Sequence, residues 1–87
     1  MKWTLEQRKD RDGNVRSESM EYRNGNFSAI IVKGHIYYPT SLVLHCRTLG
    51  MDTEDLRCHK FEDGIKRSEK KIKSAVKQLI KDLRDFL

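Results

Sequence analysis

The chain of 87 residues is 37% hydrophobic and 36% charged, with a net charge of +5 and a pI of about 9.4, so it is read as one domain, 1–87, with a thin core. About 60% of the unfolded surface is buried at this size, and a homodimer sharing apolar surface would ease the shortage. No apolar run is long enough to span a bilayer, and the opening MKWTLEQRKDRD lacks the apolar segment of a secretory signal, which predicts a cytoplasmic protein with no membrane partner and two free thiols, Cys46 and Cys58.

Two turn dipeptides organise the first third. Asp12-Gly13 and Asn24-Gly25 tolerate the positive φ of tight hairpins, with Trp3 and Leu5 alternating before them and Met20 and Tyr22 between them. FSAIIV (27–32) is rich in β-branched residues and reads as a central strand covered on both faces. Lys33-Gly34 is a third turn, and HIYY (35–38) a fourth strand closed by Pro39. In that strand Tyr37 and Tyr38 point to opposite faces, which leaves one tyrosine on the open side of the sheet.

The next segment has two readings. TSLVLHCRTLGM forms a short helix if Thr40 or Ser41 caps it and Gly50 stops it. As a strand it alternates Leu42, Leu44 and Cys46 against Val43, His45 and Arg47, with EDLRCHKF (54–61) as its partner after a turn around Gly50–Asp52. The strand reading is preferred.

From 62 to 87 the period is helical. Glu62 or Asp63 caps the start, and Ile65, Ile72, Val76, Leu79, Ile80, Leu83, Phe86 and Leu87 share an arc roughly 120° wide that must lie on the sheet. The expected fold is α+β: an antiparallel meander of four to six strands, mainly within 1–60, followed by one long amphipathic helix packed on a sheet face.

Lys66, Lys70, Lys73, Lys77, Lys81 and Arg84 follow at spacings of 4, 3, 4, 4 and 3, which gathers them into one ridge beside the apolar arc. The ridge is about 27 Å long, comparable with about eight base-pair steps. From Lys66 to Lys77 six bases face one acid, Glu69. Like charges three and four residues apart repel by a few tenths of a kcal/mol per pair, which Glu62 and Glu69 relieve in part if they pair with Lys66 and Lys73. Phosphates would complete the neutralisation and release counterions. The plain alternative is that lysine, a good helix former, simply fills the wet face.

Other chemistry finds little support. His45-Cys46 and Cys58-His59 form a mirrored set, but neighbours on a strand point apart and the close ligand spacing of zinc sites is missing, so no metal is expected. The cysteines read as small apolar residues, cross-strand neighbours with the histidines outside. DRDGN (10–14) lacks the spaced acids and closing glutamate of a calcium loop, and no glycine loop cradles phosphate. Adjacent Cys and His do not make a catalytic pair without a third group in a cleft, so neither an enzyme nor a cofactor is expected.

Two functions remain. One is a small non-catalytic binding protein that tracks nucleic-acid phosphates with Lys66, Lys70, Lys73, Lys77, Lys81 and Arg84. A sheet followed by one helix is similar in outline to several single-strand-binding folds, without a shared motif. The other is an adaptor or inhibitor, of the phage or mobile-element kind, that docks on a protein partner through the open sheet face or an edge strand. Its mark would be an exposed apolar patch around Trp3, Met20 or Tyr37.

Overall fold

Gly13 and Gly25 adopt φ of +82° and +61°, and each lies in the turn joining two strands, as the dipeptides predict. In a computed structural model, which describes residues 1–86, they join β1 (Thr4–Lys9) to β2 (Val15–Asn24) and β2 to β3 (Phe27–Val32). The first turn is held by Asp10, whose carboxylate accepts from the backbone N–H of Asp12 and of Asn14, both at 2.9 Å. Leu5 pairs with Met20, and Met20 with Ile31, so these apolar residues share one face.

The fourth strand is not HIYY. Residues 35–38 form a tight turn with one isolated bridge, in which the Tyr38 N–H donates to the His35 carbonyl at 3.0 Å. The place beside β3 goes to β4 (Val43–Cys46), where Val43, Leu44 and Cys46 are completely buried, whereas Ile36 and Tyr37 of the turn stay exposed. A segment that buries three apolar residues outcompetes one that ends at a proline lacking an N–H. Tyr37 and Tyr38 are therefore loop residues and do not divide between two sheet faces.

The strand reading of the ambiguous segment holds for 43–46, and the helical one survives only as a 3-10 turn at Arg47–Leu49. Gly50, at φ +70°, then leads into β5 (Met51–Asp55). The partner strand thus starts and ends before the expected 54–61. Arg57 stops it at φ +54°, with its N–H bonded to Asp55 Oδ1 at 2.9 Å. Cys58 consequently lies in no strand, and the two cysteines are not cross-strand neighbours. The sheet is a meander, ordered β1-β2-β3-β4-β5.

Helix α1 spans Phe61–Asp82 and is followed by a 3-10 turn at Arg84–Phe86. Its N-cap is Lys60, without a side-chain bond; Glu62 and Asp63, expected as caps, stand in the first turn, where the positive helix end favours them. Gly64, Ser68 and Ile72 form the buried seam, four residues apart, against a core of Ala29, Ile31, Leu42, Leu44, Cys46 and Leu56. The approach is close at Gly64, where a Cβ would stand 2.8 Å from Leu42 Cδ1. Trp3, Met20, Phe27, Met51 and Val76 pack around this core.

The apolar stripe runs past the sheet. Leu79, Ile80 and Leu83 are 42–53% exposed and Phe86 83%, in a molecule 55 × 26 × 20 Å across its principal axes. Length explains this: a helix of 22 residues is about 33 Å long, while the six-residue strand β3 beneath it reaches about 20 Å. Only the first half of the stripe finds the sheet it was expected to cover. Leu87, counted in that stripe, lies outside the described residues.

Candidate functional site

The buried seam fixes where the basic ridge points. Lys66 and Lys70 each follow a seam residue by two positions, about 200° round the helix, so the ridge looks away from the sheet. Lys66, Lys70, Lys73, Lys77, Lys81 and Arg84 are all exposed. Five of the six stand on α1 itself, whereas Arg84 sits in the 3-10 turn beyond it. The ridge is therefore brought together as the spacing predicts, except at its last member.

Of the two carboxylates expected to relieve it, Glu62 pairs with no ridge lysine among the described residues and Glu69 is engaged elsewhere. Glu69 accepts a hydrogen bond from Trp3 Nε1 at 3.1 Å, which ties β1's end of the sheet to the helix and draws the acid away from Lys73. Asp82 accepts from Gln78 Nε2 at 2.8 Å. Ion pairs among the described residues join Arg16 to Asp10, Arg23 to Glu21, Lys33 to Glu18 and Lys71 to Glu54; none includes a ridge residue. The mutual repulsion of the lysines thus stands uncompensated by salt bridges.

The ridge is not extended by the strand arginines. Strand alternation puts Arg8 and Arg23 on the face opposite the helix, and Arg23 and Arg16 are paired with acids. The cations that join it come from its own flank. Arg67 donates from one guanidinium nitrogen to the Leu56 and Arg57 carbonyls, at 2.8 and 3.0 Å. Between that flank and β5 lies an open cleft of about 850 Å³, lined by Tyr38 together with Glu54, Asp55, Arg57, Arg67, Lys70 and Lys71. Sequence reasoning missed Arg57 and Tyr38 as neighbours of the ridge. No local pattern signals it, because Tyr38 reaches the cleft only through the loop between β3 and β4.

The mirrored His and Cys pairs come apart. Cys46 is in the core beneath the helix, its thiol donating to the Ser28 carbonyl at 3.4 Å, while His45 takes the opposite face, where it donates from Nδ1 to the Asp52 carbonyl and lies 5.7 Å from the His35 ring. Burial pushes the Cys46 thiol above its ordinary pKa. Burial does the same at Cys58, where Asp63 and Asp55 add to the rise and Arg67 opposes it. Thiols shifted in this direction are poor nucleophiles at neutral pH. No three His, Cys, Asp or Glu side chains among the described residues are grouped to hold a metal ion.

The apolar patch sought at Trp3 and Met20 is not there, since both are half-buried against the core; Tyr37 is exposed beside Ile36 on the 33–41 loop. No helix among the described residues is long and apolar enough to cross a membrane. Comparison with protein-family models, with curated proteins and with solved structures finds no match to this chain.

Proposed function

We propose that this is a small non-catalytic binding protein that grips the phosphate backbone of a nucleic acid along the ridge of Lys66, Lys70, Lys73, Lys77 and Lys81, with Arg84 at its end. The observation that carries the reading is that these cations are exposed, five of them aligned on one side of α1 and Arg84 in the turn after it, and free of ion pairs among the described residues. Aligned like charges held apart from acids favour a polyanion, which removes their repulsion and gains counterion entropy. A cytoplasmic setting belongs to the same proposal and rests on two unbridged cysteines.

The test is charge reversal. Lys70→Glu, Lys73→Glu and Lys77→Glu together should abolish binding to oligonucleotides of unrelated sequence to the same extent, because phosphate contacts carry no base information. Unchanged affinity in the triple variant would overturn the proposal.

A second reading, a protein-docking module, is favoured by β1, an edge strand with all six residues exposed. Its measurement is a titration with candidate protein partners at high salt, where a phosphate-tracking ridge is silenced and strand addition is not.

A further inference from the structure

The cleft beside β5 shares Lys70 with the ridge, and its chemistry differs from that of a lysine row. Four cations and two carboxylates line it. Arg67 is held by two backbone carbonyls and Lys71 by Glu54 at 3.5 Å, which leaves Arg57 and Lys70 without a carboxylate partner among the described residues. Arg57 stands at φ +54°, a conformation that non-glycine residues seldom adopt. Two hydrogen bonds hold it there, its own N–H to Asp55 and its carbonyl to Arg67, so the root of its side chain is fixed at the cleft wall. Tyr38, also in the lining, is 37% exposed, with its ring 5.8 Å from His35 at a 38° tilt. The cleft's volume falls within the ~300–1,000 Å³ of sites that take small organic ligands.

A pair of unneutralised cations and an aromatic ring lining one cleft suit a phosphate joined to a planar base. We propose that this cleft receives a nucleotide of a single-stranded nucleic acid, the phosphate on Arg57 and Lys70 and the base stacked on Tyr38. The inference rests on the proposed function, since Lys70 passes the strand from the ridge to the cleft. It adds a selectivity the ridge alone lacks. Duplex bases are stacked within their helix, whereas the bases of a single strand turn out and stack on aromatic side chains. The protein therefore prefers single strands to duplex.

The experiment measures fluorescence anisotropy with labelled oligothymidylate, oligouridylate and a DNA duplex of equal length. The unmodified protein binds both single strands more tightly than the duplex. Tyr38→Ala lowers single-strand affinity by roughly 5- to 150-fold, the usual effect of losing one base–aromatic stack, and leaves duplex affinity unchanged. Tyr38→Phe restores it, and Arg57→Gln weakens single-strand binding without moving the urea midpoint. Lys73→Gln, on the ridge and outside the cleft, weakens all three probes alike. If Lys73→Gln acts but Tyr38→Ala and Arg57→Gln do not, or if Tyr38→Ala weakens duplex equally, the cleft assignment is overturned and the ridge stands. If the unmodified protein binds none of the probes, the ridge and the cleft fall together.

Discussion

Truncating Ile72 and Leu83 separately to alanine divides the helix into its packed and unpacked halves. Both sit on the same apolar stripe, but Ile72 is 4% exposed and Leu83 43%. At Ile72 the change removes three carbon groups, about 2.4 kcal/mol of transfer free energy at roughly 0.8 kcal/mol each. The cavity adds to this, because Ile31, Leu44 and Cys46 around it are fully buried and have little room to collapse; a total of about 3–4 kcal/mol is expected. At Leu83 the side chain already meets water and alanine suits a helix end, so the cost should stay below about 0.5 kcal/mol. Urea unfolding followed by Trp3 fluorescence reads both, since Trp3 is bonded to Glu69 and packed 5.9 Å from Tyr22. The reasoning is refuted if Leu83→Ala costs more than about 2 kcal/mol, the lower end of the range for a covered leucine. A wild-type midpoint that rises with protein concentration would likewise mean that a second copy covers the stripe.

Two further outcomes follow from the same packing. Ser68 Oγ is fully buried without a hydrogen-bond partner, so Ser68→Ala should raise stability by about 1 kcal/mol in the same urea assay; a loss would mean that the hydroxyl is satisfied by the preceding turn. The raised Cys46 and Cys58 thiols set a sign for pH. Unfolded thiols lose their protons near the ordinary value of 9.0 while the folded ones hold theirs, so stability is unaffected by these groups below that pH and declines as pH rises through it. Cys46→Ala should flatten that decline relative to wild type, and an identical pH profile in the two proteins would contradict the assignment.

Much of the fold was legible because local chemistry and final structure agree. Asp12-Gly13 and Asn24-Gly25 demand turns, and Gly13 and Gly25 supply the positive φ observed. FSAIIV lies at the centre of the sheet as expected, but it is covered on one face and not on both. Ala29 and Ile31 are buried under the helix, whereas Ile30 and Val32 on the other face are half-buried and Ser28 is exposed, because the single helix covers one side only. The 3.6-residue period fixes α1 and gathers the lysines. The misreadings share one cause, competition between distant segments. HIYY has the composition of a strand but loses its place to Val43–Cys46, which buries more. Glu69 stands four residues before Lys73, a favourable pairing distance, yet Trp3 claims its carboxylate from 66 residues away. The cleft has no local signature for the same reason: Lys70 stands on α1, whereas Tyr38 and Arg57 come from two different loops.

The salt dependence of oligonucleotide binding tests the phosphate ridge most directly. With six cations engaged, the logarithm of the association constant should fall against the logarithm of salt with a slope of about −5 on duplex and about −4 on a single strand, and replacing Lys70, Lys73 and Lys77 by glutamine should make that slope shallower by about two to three. A slope near zero, or one that the triple replacement leaves intact, would contradict the account.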